Sequence, residues 1–261
     1  MRIPRRQRGQ KRVVVPSASH AFAYAKLAAL MAASPPRVRG LGVLEYWMRQ
    51  RTPVRELQDR TIAEYLPALK GKVIELGALG DGRRDFATGA EEYIVSSMVE
   101  GVDLQLDATA MRLPSDSVDG FLCESMLEHV QEPQKVISEI HRVLRPGGVL
   151  LMLTPWMYPF HAAPDDFSRF SQSALAAALQ GFHVTQLKPL GNYWTSVATF
   201  TQLKVQPWKE MGKAERLSRL VIGAPLLAFG LGCYGVSRLL RERDDFASMY
   251  LVVAEKLPTP H

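Results

Sequence analysis

Three stretches of the chain carry residue types that can do chemistry. The first is Glu75-Leu-Gly77-Ala-Leu-Gly80-Asp-Gly82, which directly follows an apolar run. Glycine lacks a Cβ, so a glycine-rich turn between a strand and a helix lets backbone approach a bound ligand closely. The acid that ends the strand can hold a charged amino group. The second stretch is Asp107-Ala108, where a carboxylate can accept from an adenine amino group and the next backbone N–H can donate to the ring. The third runs from Pro155 to Phe170 and mixes Trp156, Tyr158, His161, Asp165, Asp166 and Arg169. Such a polar and aromatic loop at a strand's carboxyl end is where a second ligand would be read. His161 can act as a general base there, because imidazole titrates near neutrality. The alternative is structural: Asp166 pairs with Arg169, Asp165 caps a turn, and the set fixes the loop. His129, after Leu127-Glu128, is likewise either a second base or a helix-start residue packed beneath the site.

These residues need a scaffold, and apolar patterning predicts one. Continuous apolar runs at 72–78, 91–98, 102–108, 117–125 and 147–155 read as strands, with two more at 182–190 and 248–257. A helix separates the fourth and fifth, with Val136, Ile137, Ile140, Val143 and Leu144 on one face and a Pro146-Gly147-Gly148 stop. Another helix covers 171–181. Strand–helix alternation with wholly apolar strands predicts a mainly parallel sheet covered on both faces. Upstream, 18–33 and 52–69 read as helices. The expected organisation is a basic tail with helical extension over 1–70 and an α/β domain over 71–261, carrying an apolar helical insertion at about 205–243.

The chain has 261 residues and a formal charge of +6, but six Lys/Arg and no acid lie in 1–12, so the remainder balances to zero. A neutral body lacks the basic face that grips nucleic acid, and there is no Asn/Asp-Pro-Pro-aromatic motif for an extruded base. Nucleic acid is therefore not an expected partner. Cys123 and Cys233 form no CxxC pair, which argues against a zinc knuckle or a disulfide scaffold. The apolar stretch after the basic start is broken by Pro16, His20 and Lys26, so it does not read as a signal peptide. The expected location is the cytoplasm.

Val118-Asp119-Gly120-Phe121, Leu127-Glu128-His129-Val130 and Leu144-Arg145-Pro146-Gly147-Gly148 follow the glycine turn and Asp107 in order. Together these motifs resemble the class I, Rossmann-like S-adenosylmethionine-dependent methyltransferases, in particular the type 11 branch with an LEHV…RVLRPGG signature. The resemblance covers about residues 72–190. It implies a doubly wound seven-stranded sheet with an antiparallel last strand, S-adenosylmethionine as cofactor, and a small-molecule or glycan/lipid-linked acceptor. Carried over, Glu75, Gly77, Gly80 and Gly82 would hold the methionine part, Asp107 and Ala108 the adenine, and Glu124 would border the methyl group. His161 and His129 are the candidate catalytic residues. The loop after the fifth strand also resembles an acceptor loop of a branch that often lies in surface-polysaccharide gene clusters.

Three positions depart from the family pattern. The glycine turn has one extra residue, Ala78-Leu79. Ser97 stands where an acid usually binds both ribose hydroxyls, a change worth about 1.5–3 kcal/mol. Some relatives bind a metal through Glu-x-x-Glu-His, whereas this chain reads Ser125-x-x-Glu128-His129, so no metal is expected. The first two departures also fit a second reading, a degenerate relative that keeps the fold as a non-catalytic binding or scaffold protein. Finally, 220–236 is uncharged between Arg219 and Arg238. At roughly 26 Å it is short for a bilayer core of about 30 Å and is interrupted by Pro225 and four glycines. It is expected to pack on the domain, form a homodimer or touch one membrane leaflet.

Overall fold

The computed structural model describes residues 52–161, 165–205, 212–240 and 246–258. The chain divides into Met1–Ser34 and Pro35–His261. The predicted 18–33 helix and the basic tail lie outside the described residues.

Seven strands form one sheet: β1 (Gly71–Leu76), β2 (Ala90–Ser97), β3 (Leu104–Gln105), β4 (Val118–Glu124), β5 (Leu144–Pro155), β6 (Phe182–Leu190) and β7 (Met249–Lys256). Their spatial order is β3-β2-β1-β4-β5-β7-β6. Pairs among β1 to β5 are parallel, while β7 runs antiparallel to both β5 and β6. The order reverses between β1 and β4, which are neighbours. In an open α/β sheet that reversal marks the crevice where ligands bind, at the strands' carboxyl ends.

The central strands β1, β4, β5 and β7 are largely apolar on both sides because both faces are covered. Ile74, Leu76, Phe121, Cys123, Leu150 and Met152 belong to one buried cluster, together with α2 (Pro133–Val143) and α3 (Gln172–Ala178). Val136, Ile137, Ile140 and Val143 form the buried stripe of α2, as their spacing predicts. The intervening strand residues Val73, Leu122, Leu151 and Leu153 are buried too. Burying one such side chain contributes about 1.5–3 kcal/mol.

Helix α1 (Pro53–Tyr65) begins at Thr52, whose hydroxyl accepts from Arg55 N, with Pro53 as its first residue. Its far end is tied to β6 through Tyr65, whose hydroxyl donates to Gln186 Oε1 at 3.0 Å. The insertion before β7 contains two helices, α4 (Tyr193–Val205) and α5 (Lys213–Ser237). Its helical part therefore starts 12 residues before the predicted 205, about three helical turns. Asn192 explains that start: its Oδ1 accepts from Trp194 N and Thr195 N, and its Nδ2 donates to Ser237 O at 3.0 Å. One side chain thus caps α4 and ties it to the end of α5. Ala198, Cys233 and Tyr234 pack between the two helices. Among the described residues no helix is long and apolar enough to cross a membrane.

Two local predictions differ from the structure. The third strand has two residues in place of the predicted 102–108, because Asp107 Oδ1 accepts from Thr109 N and Thr109 Oγ1 and turns the chain. Between β1 and β2 the link carries a 3-10 turn, Arg84–Phe86, where the alternation calls for a helix. Only 13 residues separate these strands, just above the 10–12 or so that a minimal crossover with a helix requires.

Candidate active site

The glycine turn lies at the carboxyl end of β1, opposite the ends of β2 and β4. Gly77, Gly80 and Gly82 all have positive φ, at 73°, 57° and 57°. For Gly82 the requirement is also steric, since a Cβ would sit 2.1 Å from Glu75 Oε2. At Gly80 a Cβ would meet nothing within 4 Å among the described residues, so that part of the turn is open toward them. Glu75 is buried beneath the turn, and its Oε2 accepts from Arg83 N at 2.7 Å and from the Tyr93 hydroxyl at 2.9 Å. Burial raises its pKa, and those two hydrogen bonds oppose the rise.

Glu124, at the end of β4, is engaged by Arg83. The guanidinium donates through Nε to Oε2 at 2.7 Å and through Nη2 to Oε1 at 2.6 Å, and through Nη1 to Asp59 on α1 at 2.7 Å. Arg83 follows Gly82 directly, so the ion cluster joins the glycine turn, β4 and α1. Nothing in the sequence pattern singles out Arg83 or Asp59, since their meeting depends on how α1 lies across the strand ends. Ser97 is half-buried at the end of β2 and pairs with Gln105 of β3. Asp107 is exposed with Oδ1 bound to Thr109, which lowers its pKa, and Ala108 is half-buried beside it. The turn, Ser97, Asp107 and Ala108 thus follow the carboxyl ends of β1, β2 and β3, three adjacent strands.

An adenosyl sulfonium fits this frame at the level of backbone. The three glycines are exposed, one opens on free space, and the Asp107 carboxylate is exposed. Two side chains are committed elsewhere: Glu124 to Arg83, and one oxygen of Glu75 to the turn itself.

A second constellation lies at the ends of β4 and β5. Thr52, Arg55, Gln58, Ser125, Glu128, Tyr158, His161 and Met249 help to line a cavity of about 170 Å³. Ser125 follows β4 with φ 47°, a left-handed conformation that is uncommon outside glycine, and its hydroxyl accepts from Gln58 Nε2 at 2.6 Å. Glu128 is fully buried, and neither carboxylate oxygen has a hydrogen-bond partner among the described residues. Desolvation pushes its pKa up to about 7. His129 Nε2 is 3.8 Å from Glu128 Oε1, and the rings of His129 and His161 stand edge to face with centroids 4.9 Å apart.

The loop after β5 fixes these groups. Asp166 accepts from His161 N at 2.9 Å and pairs with both terminal nitrogens of Arg169. Those donors hold its pKa down at about 2. Phe167 N donates to Glu128 O at 2.7 Å, binding the loop to the 127–129 turn. Burial lowers the His161 pKa, which favours the neutral ring. Asp166 and Arg169 follow the structural alternative, their pair holding the loop, and His161 lines the cavity. The two predicted histidines come together there with Glu128, which sequence reasoning treated only as part of a motif. Its signal was a carboxylate inside an otherwise apolar stretch, Met126-Leu127-Glu128-His129-Val130.

Comparison with known proteins agrees with this architecture. Residues 85–152 match the family model of a methyltransferase domain. An uncharacterized methyltransferase of Mycobacterium bovis is 37% identical over 79 residues, 30% of this chain and 31% of that protein. The thiol S-methyltransferase TMT1B of Homo sapiens is 39% identical over 67 residues, 23% of this chain and 28% of that protein. The chain thus spans about a third or less of the length of these curated relatives. Among solved structures, the [4+2]-cyclase SpnF superposes with a TM-score of 0.51 at 17% identity, covering 92% of this chain and 96% of that one. An N-methyltransferase of Haemonchus contortus, in complex with phosphomonomethylethanolamine and S-adenosylhomocysteine, gives 0.50 at 15%, covering 83% and 57%. At such identities these likenesses speak to fold, and one fold hosts several chemistries. By its sheet order the chain has the Rossmann-like fold of these structures, and its segment 85–152 carries the sequence signature of a methyltransferase domain.

Proposed function

We propose that the protein transfers a methyl group from S-adenosylmethionine to a small acceptor seated in the cavity beside β4 and β5. The observation that carries this reading is that an exposed, left-handed glycine turn and Asp107 share the strands' carboxyl ends with a cavity lined by Glu128, His161 and other polar and apolar side chains. When bound, the cofactor supplies a sulfonium methyl open to in-line displacement, the acceptor's lone pair forming the new bond while sulfur keeps the electrons of the old one. Gly77, Gly80 and Gly82 would admit the methionine part against backbone, and Glu75 would keep the turn closed. Asp107 with Ala108 would hold the adenine, and Ser97 would offer one hydroxyl to the ribose. Glu124 borders the methyl position, where Arg83 sets its orientation.

Catalysis of this kind rests chiefly on alignment of acceptor, methyl and sulfur. A proton must leave only if the acceptor atom carries one. Glu128, His129 and His161 form the wall that would take it. The matched segment of a thiol S-methyltransferase and the size of the cavity favour a compact acceptor, a thiol among them, or the exposed end of a glycan- or lipid-linked precursor. The apolar surface of α5 suits peripheral contact with a membrane from the cytoplasmic side, or with a second copy.

The test is transfer of an isotopically labelled methyl from the cofactor to a panel of thiols, phenols, amines and sugar hydroxyls. Label in one acceptor class, reduced at least tenfold by His161→Ala, supports the proposal. Cofactor binding without transfer to any class would favour the scaffold reading, to which the Arg83–Glu124 pair and Ser97 also lend themselves.

A further inference from the structure

The wall formed by Glu128, His129 and His161 has an electrostatic peculiarity. It brings three side chains that can ligate a metal around one buried carboxylate. Each of the three offers one ligand atom, and these lie within 4.8 Å of one another. His129 Nδ1 is 2.6 Å from Asp165 O, a carbonyl that only accepts, so Nδ1 carries a proton, and Nε2 lies 3.8 Å from Glu128 Oε1. His161 Nδ1 is 3.1 Å from Pro159 O and 3.3 Å from Asp166 Oδ2, so that ring too has its donor pinned and its other nitrogen left to accept. Glu128 is 0% exposed, and both of its oxygens are without a hydrogen-bond partner among the described residues. Arg169, whose charge acts on Glu128, spends its terminal nitrogens on Asp166, Ser168 O and Pro159 O, while its Nε is buried with no partner among the described residues. A buried carboxylate left without a donor is costly, and a cation among the three ligand atoms would remove that cost.

We infer that Glu128, His129 and His161 form a binding site for a divalent transition metal of the Zn²⁺ class, with an open position toward the 170 Å³ cavity. Two imidazoles and one carboxylate are a ligand set that Zn²⁺ accepts while keeping a fourth position for water or substrate. Donation of the far imidazole nitrogen to a backbone carbonyl or carboxylate is how such ligands are oriented, and both rings have it. Tetrahedral ligands at about 2.1 Å lie roughly 3.4 Å apart, so side-chain rotations of about an ångström close the set. Ser125 does not exclude this site, because the third ligand comes from the loop after β5. The site itself does not depend on methyl transfer. Its chemical consequence rests on that reading: a metal-bound acceptor X–H loses its proton to solvent more easily, leaving X with the lone pair that takes the methyl.

The test uses the full chain stripped of metal by chelator, with no methyl donor present, so that it is independent of cofactor binding. Titration with Zn²⁺ should show one site per chain. Co²⁺ in its place should give the visible absorption of a low-symmetry, four-coordinate site. Glu128→Gln keeps the shape of the side chain, and His161→Ala lies on a loop. Each should weaken Zn²⁺ at least tenfold and remove the Co²⁺ band, with the far-ultraviolet dichroism of the wild type retained. Asp107→Asn, remote from the cluster, should leave both readouts unchanged. Absence of binding at millimolar Zn²⁺, or equal binding by wild type, Glu128→Gln and His161→Ala, would overturn the inference.

Discussion

Arg83 is the residue on which the cofactor side of the site turns. Its side chain is 10% exposed and that of Glu124 is 8% exposed, so their charge-assisted, two-point pair is shielded from water. Deleting one member of a buried pair leaves the other charge uncompensated, at about 3–5 kcal/mol. Arg83→Ala should therefore lower unfolding free energy by roughly 3 kcal/mol in denaturant titration, whereas a loss below about 1 kcal/mol would mean that the pair behaves as a surface one. Glu75 tests burial in the opposite sense. Its folded pKa lies above the ordinary glutamate value of 4.5, chiefly by desolvation. Its favourable contribution is thus complete below that value and is lost as pH rises through the folded pKa. Glu75→Gln carries no charge at any pH. The Tm of the variant minus that of the wild type should grow as pH is raised from about 4.5 toward neutrality, and a difference that does not vary with pH would contradict the assignment.

At the scale of elements, the glycine turn separates two kinds of constraint. Gly82→Ala meets both a left-handed φ and the Glu75 carboxylate, so Glu75 or the turn must move. Gly80→Ala meets φ alone, a cost of about 1–2 kcal/mol. Gly82→Ala should therefore be the more destabilising by thermal melting, and the reverse order would show that the turn is built differently. The same elements show what was legible in sequence. Strands β1, β4, β5 and β7 could be read because burial on both faces gives them continuous apolar runs, and β2 and β6 through the shorter apolar content that they keep while largely half-buried. The stripe of α2 was legible through its spacing. The short β3 was not, because one side-chain hydrogen bond from Asp107 overrides an apolar run. The early start of α4 escaped because Asn192 acts as a cap only once Ser237 is beside it. In the site, individual residues were readable and their meetings were not: Glu128 and His161 are 33 positions apart, and Arg83 meets Asp59 through the placement of α1.

At the scale of the molecule, α5 presents Val221, Leu226, Phe229 and Val236 to solvent, followed by Leu239 and Leu240. An exposed apolar surface of this kind marks a contact with lipid or protein. Full-length protein should partly pellet with membranes and be released by high salt or mild detergent. Complete recovery in the supernatant without detergent would leave a second copy of the chain as the remaining occupant. The account as a whole depends on the crevice where the strand order reverses, so cofactor binding tests it most directly. Calorimetric titration of the full chain with S-adenosylmethionine should give a saturable, one-to-one heat, weakened at least tenfold by Asp107→Asn. No heat and no thermal shift at millimolar cofactor would contradict the central claim while leaving the fold intact.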